Sequence, residues 1–182
     1  MQSAIGQLLL VVSLFLLTSC GFHLRGSEPL APALHHLYIQ TQDPYSQLTR
    51  YLKQALKQSD VQFSETPEGA SAILEITSER QVQQLLSVGG TQQTRVYSLT
   101  LTIDYQLTDP QGRPIDARQE AIETRTVTIQ ANQILGGSNE ESNLYQQMHR
   151  AIIFTIMHRL SSAEVTNAFA HNEPVASSQK RD

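Results

Sequence analysis

The chain of 182 residues has one cysteine and no tryptophan. A single cysteine cannot close an intramolecular disulfide or complete a cysteine metal cluster, so the fold must be held by its core. Only 16% of residues are charged, and the balance is acidic at −4. That balance argues against a nucleic-acid binder, which would show a basic face, though not against a small basic site for an anionic ligand. No segment reads as a phosphate-cradling loop: Gly89-Gly90 and Gly136-Gly137 lack the further glycines and the lysine such a loop needs. The six histidines (His23, His35, His36, His149, His158 and His171) form no i, i+4 pair and no H-E-x-x-H pattern, so no metal site is expected. No serine sits in a nucleophile elbow, and Glu120 and Glu123 lack the apolar surround that would prepare a carboxyl for acid catalysis. An enzyme is therefore the weaker class, and no cofactor is expected.

One long hydrophobic run is present, at the N-terminus. Leu8 to Leu17 is apolar except for Ser13. The run suits a signal-peptide core but is too short to span a bilayer, which needs about 20 apolar residues. It ends in Leu17-Thr18-Ser19-Cys20, a large aliphatic and two small residues before a cysteine, the order a lipoprotein-processing peptidase requires. Cys20 is accordingly the expected site of lipid attachment. Residues 1–19 carry no charged side chain, so the basic segment usual in a signal peptide is missing. Either the α-amino group suffices or translation begins upstream. Cleavage before Cys20 leaves 182 − 19 = 163 residues, enough for one domain with a real core.

Residues 20–34, punctuated by Gly21, Gly26, Pro29 and Pro32, read as a lipidated tether. Leu37 to Ile39 make a short strand. Asp43-Pro44 signals a helix start, followed by an apolar stripe through Leu48, Leu52, Ala55 and Leu56. Three strands follow. The first continues past Arg80 toward Gly89-Gly90, and the second is the clearest element. There Tyr97, Leu99, Leu101, Ile103, Tyr105 and Leu107 alternate with polar residues, which implies one buried and one wet face. Asp109-Pro110-Gln111-Gly112 makes the turn into a third strand, from about Ile115 to Gln130, whose charged middle marks an edge, a bulge or a strand projecting beyond the core. Gly136-Gly137 ends the sheet region, and Ser138-x-x-Glu141 reads as a capping box opening a long helix through Leu160. Residues 162–182 are polar, without period, and are expected to be a disordered tail. The order predicts an α+β two-layer sandwich over residues 35–161, a mixed or antiparallel four-stranded sheet covered by two helices.

Cys20-Gly21-Phe22-His23-Leu24-Arg25-Gly26 resembles the start of mature LptE-family proteins, the lipopolysaccharide (LPS)-assembly lipoproteins of the Gram-negative outer membrane. The layout, including the Leu48–Leu52 segment with Arg50 between its leucines, matches that family over nearly the whole mature chain. The resemblance implies an outer-membrane lipoprotein, lipid-anchored on the periplasmic side. It would plug the lumen of the LptD β-barrel and help it assemble and deliver LPS to the outer leaflet. It also implies direct LPS contact through basic residues near strand and loop ends. Arg80 and Arg95, set about the first hairpin, are the candidates, because a guanidinium pairs bidentately with phosphate. Gly136-Gly137 departs from the pattern in carrying no basic residue. Gly21 after the cysteine agrees with sorting to the outer membrane. The alternative is another outer-membrane lipoprotein, an accessory of barrel assembly or a periplasmic ligand-binding module.

Overall fold

A computed structural model of the chain describes residues 30–90, 94–130 and 134–172. Cys20 and the resemblance motif lie outside them, as do the signal peptide and residues 173–182. Within them the fold is α+β, with a five-stranded mixed sheet in the order β2-β1-β3-β4-β5. The strands are β1 (His36–Thr41), β2 (Gln62–Phe63), β3 (Ala72–Val88), β4 (Thr94–Thr108) and β5 (Gln119–Gln130). Helices α1 (Gln47–Gln58), α2 (Ile134–Leu160) and α3 (Ala163–Asn172) complete the unit. β1 runs parallel to β2 and β3, while β3, β4 and β5 form an antiparallel meander.

The alternation in β4 decides the layering. Leu99, Leu101 and Ile103 are fully buried, and Tyr105 and Leu107 nearly so. They share one core cluster with Leu48, Leu52 and Leu56 of α1, Met148, Ile152 and Ile156 of α2, and Val165 of α3. All three helices thus cover the same sheet face. The opposite face of the meander presents Arg80, Val82, Thr100, Ile122 and Thr124.

Five expectations need correction. The sheet has five strands rather than four, because the two-residue β2 pairs with β1 by backbone bonds that no side-chain pattern announces. The helix expected at Asp43 begins three residues later: Ser46 is its N-cap, its Oγ accepting from the Thr49 N–H at 3.1 Å. The Asp43 carboxylate instead accepts from the Tyr45 N–H at 2.9 Å, closing a local turn. The tether is shorter than expected, since Leu30, Ala31 and Leu34 are buried in the core and Pro32–His35 forms a 3-10 turn. Part of the expected tail is ordered as α3, whose Val165 is fully buried and whose Phe169 packs against the core. A single buried valine with one aromatic four residues on left too little periodicity to read.

The long helix also starts earlier than its capping box. α2 begins at Ile134 and runs through Gly136-Gly137, so the box is internal. Glycine costs about 1 kcal/mol relative to alanine in a helix but does not forbid it. The end of α1 is sharper. Asp60 adopts a left-handed φ of 59°, the Val61 N–H reaches the Leu56 carbonyl at 3.1 Å and the Asp60 N–H reaches Lys57 at 3.2 Å. This is the paired-bond helix stop that a residue with positive φ permits, and it folds buried Val61 back beside Leu56.

β1 covers β3 only from Ala72 to Ile76. Beyond Ile76 the outer edge of β3 has no strand partner among the described residues, and β3, β4 and β5 continue as a long three-stranded arm. The charged β5 is the far edge of the sheet, as its composition implied, and Arg125 Nη2 and Glu123 Oε1 pair along it at 2.5 Å.

Candidate functional site

The two arginines expected to contact LPS lie on the same arm but are not brought together. Arg80 pairs in register with Thr102, and Arg95 with Val88. Along β4 the two positions differ by 102 − 95 = 7 residues, roughly 23 Å of strand, and side chains alternate faces, so the odd spacing turns them to opposite sides. Arg95 alone flanks the hairpin turn. Arg80 sits mid-strand, because β3 runs on to Val88.

Their electrostatic settings differ as well. Arg80 Nη1 donates to Asp104 Oδ2 at 2.9 Å and to Ser78 Oγ at 3.2 Å, while Nη2 lies 3.4 Å from Glu120 Oε1. The register explains this: Ser78, Asp104 and Glu120 form one row across three strands, next to the row of Arg80. One cation between two carboxylates leaves the cluster at −1, a poor phosphate receptor. Arg95 is exposed and forms no ion pair with another described residue.

Arg95 also has company of the right kind. Its sheet neighbours are Val88 and Ile129, and the next row on the same face is Leu85, Tyr97 and Val127. Val88 and Leu85 remain 47% and 49% exposed, while Tyr97 and Ile129 are half-buried at the margin of the core. The result is a cation at the rim of an apolar patch, a chemistry suited to an amphiphile with a phosphate head and acyl chains. Sequence reading named Arg95 but missed the patch, since Leu85 and Val88 fall on either side of a bulge between Leu85 and Ser87 that shifts the alternation.

Two other arrangements complete the picture. His149 is almost wholly buried: Nδ1 lies 2.8 Å from the Tyr145 carbonyl and Nε2 2.9 Å from Glu79 Oε1. A carbonyl only accepts, so Nδ1–H donates to it, and the two contacts together clamp α2 to β3. At the other end of the sheet, Arg159 at the end of α2 donates to Asp116 Oδ2 from Nε at 3.0 Å and from Nη2 at 2.8 Å, and its Nη1 donates to Glu164 of α3. Beside this node burial pushes the Tyr105 phenol up to about 12, an effect that Arg159 opposes and Asp116 adds to. A cleft of about 400 Å³ lies at the end of β1, lined by Thr41, Asp43, Ser46, Ile76, Ser78 and Glu79 among others. It contains neither arginine. No helix among the described residues is long and apolar enough to cross a membrane.

Comparison with known proteins follows the same outline. The family model LptE, described as lipopolysaccharide-assembly, matches residues 34–160, which span all five strands with α1 and α2. The LPS-assembly lipoprotein LptE of Yersinia enterocolitica is 28% identical over 184 aligned positions, spanning 99% of this chain and 88% of that protein. The protein of the same description from Photorhabdus laumondii is 30% identical over 62% of each chain. Among solved structures, an uncharacterized lipoprotein B from Nitrosomonas europaea superposes with a TM-score of 0.66 at 22% identity, covering 84% of this chain and 97% of its own. The rare lipoprotein B from Shewanella oneidensis gives 0.63 at 20%, covering 72% and 98%. At such identities the likeness shows the fold alone.

Proposed function

The chain belongs to the LptE lipopolysaccharide-assembly family, and from that premise we propose that it is the plug and assembly partner of an LptD-like outer-membrane β-barrel, contacting LPS directly. Membership makes it an outer-membrane lipoprotein of LPS transport. Cys20 is the lipid attachment site and holds the domain on the periplasmic side. Two acyl chains already anchor stably, at about 0.8 kcal/mol per buried methylene.

The observation that carries the reading is the family match across the α+β unit from residue 34 to 160. The surface supports it. The sheet face away from the helices is rich in small hydroxyls, with Thr100 Oγ1 and Thr124 Oγ1 3.4 Å apart and Thr126 and Thr128 exposed nearby. Such a face suits the polar lumen of a barrel. Arg95 with its apolar neighbours supports contact with a phosphorylated, acylated glycolipid, and Arg80 serves that contact less because two carboxylates hold it.

The test is co-purification. The lipidated chain, solubilised from outer membranes in mild detergent, is expected to bring down a large β-barrel in a stable one-to-one complex. Recovery of the free lipoprotein would refute the plug reading and favour a different outer-membrane accessory.

A further inference from the structure

The helical layer has an outer face of its own that none of the preceding roles uses. α1 carries three charges, and all are positive: Arg50, Lys53 and Lys57. Their i, i+3, i+7 spacing sets them on one stripe, opposite buried Leu48, Leu52 and Leu56. They line a groove of about 500 Å³ with Gln54 and Gln58. Arg150 of α2 extends the stripe across the helix pair, its guanidinium 5.8 Å from the Tyr51 ring centroid. None of these four cations forms an ion pair with another described residue, in a chain whose net charge is −4. The flanking acids are remote or occupied. Asp43 binds the Tyr45 N–H, Asp60 lies past the end of α1, and Glu141, the nearest acid before Arg150 on α2, precedes it by nine residues, roughly 14 Å of helix.

One turn beyond Arg150 on the same face stands Phe154, a large hydrophobic side chain 73% exposed. An aromatic left in water beside unpaired cations is the composition of a helix face lying in a membrane interface, where the ring enters the headgroup region and the cations meet phosphates.

We propose that this outer face docks on a bilayer surface of anionic phospholipid headgroups, with Arg50, Lys53, Lys57 and Arg150 at the phosphate level and Phe154 inserted beneath them. The charge complementarity selects the occupant: four unpaired cations without an intervening acid suit a surface of phosphodiesters. The orientation leaves the opposite, hydroxyl-rich sheet face turned away from the membrane. It describes the anchored lipoprotein before it meets a barrel. The inference rests on the lipoprotein reading of Cys20 but not on the barrel or on LPS. Each cation near an anionic surface is worth about a fivefold gain in partitioning, so four are expected to give a few hundredfold.

Because the chain has no tryptophan, Phe154→Trp installs a single reporter where the contact is placed. The lipidated full chain carrying it is reconstituted in equimolar phosphatidylethanolamine and phosphatidylglycerol vesicles, and in pure phosphatidylcholine. The anchor holds it on both. The expected result is blue-shifted emission and quenching by brominated acyl chains on the anionic vesicles alone, reversed by high salt. Arg50→Glu, Lys53→Glu, Lys57→Glu and Arg150→Glu together are expected to abolish the difference; should that variant fail to fold, the salt titration of Phe154→Trp alone decides. Equal emission and quenching on the two vesicle types would overturn the proposal. So would a shift that appears only when LPS is added, which would assign the face to that lipid instead. No barrel is present, so this outcome is independent of the co-purification.

Discussion

Truncating the two arginines separately distinguishes a phosphate contact from an internal ion pair. Arg95→Ala removes an exposed guanidinium with no ion-pair partner among the described residues, set beside Val88, Leu85, Tyr97 and Ile129. A charge-assisted bond from such a group to a phosphate contributes about 1–2 kcal/mol at an exposed site, which is roughly 5–30-fold in Kd. Arg80→Ala removes a cation already shared by Asp104 and Glu120. A phosphate reaching Arg80 must displace a carboxylate and meets a cluster of net charge −1, so its loss is expected to change Kd by about twofold or less. The stability cost of Arg80→Ala is about 0–1 kcal/mol, because the pair is exposed. The assay is LPS titration onto the purified lipidated chain in detergent at moderate salt, with Arg80→Glu and Arg95→Glu combined as the strongest perturbation. That double reversal is expected to weaken LPS binding while leaving association with the barrel intact. An equal or larger loss from Arg80→Ala than from Arg95→Ala would refute the reasoning, as would full affinity in Arg95→Ala.

Other expectations concern the scaffold. Leu101→Ala opens a cavity under the helices at a fully buried position and is expected to cost about 2–5 kcal/mol in urea unfolding. Arg159→Ala unties α2 and α3 from Asp116 and is expected to cost about 1–3 kcal/mol, with hydrogen exchange in α3 rising more than in α1. Desolvation pushes the Asp109 carboxyl up, but hydrogen bonds from the Arg113 N–H, the Arg113 guanidinium and the Gln111 N–H outweigh it and hold the group below its ordinary 3.8. A depressed carboxyl stabilises the fold above its unfolded value and loses that contribution as pH falls through the folded one. Unfolding midpoints of Asp109→Asn and the unaltered chain are therefore expected to converge below about pH 4; a constant offset down to pH 2 would contradict this.

How far the sequence was legible depends on the range of the interactions involved. β4 was readable because its alternation is a local record of a face buried against helices, and Leu99 to Leu107 lie where that record puts them. β5 was readable as an edge because charge at Glu120, Glu123 and Arg125 is tolerated there. β2, the late start of α1 and the burial of Leu30 and Leu34 were not readable. Each is set by backbone pairing or by packing against residues distant in sequence. Arg80 illustrates the same limit within the candidate site. Its residue type favours phosphate, but two partners 24 and 40 residues away in the chain hold it. His149 is similar, with Glu79 70 residues away. The stripe of Arg50, Lys53 and Lys57 was in plain view as a helical face, yet its lack of ion pairs and the exposure of Phe154 emerge only from the packed helices.

Surface LPS after depletion tests the central claim most directly. With the chromosomal copy placed under a repressible promoter in the native host, the fraction of LPS reachable from outside intact cells is expected to fall as the protein is diluted. A plasmid copy is expected to restore it, and the Cys20→Ala form to restore it less. Undiminished surface LPS in cells shown to lack the protein would contradict its assignment to LPS delivery.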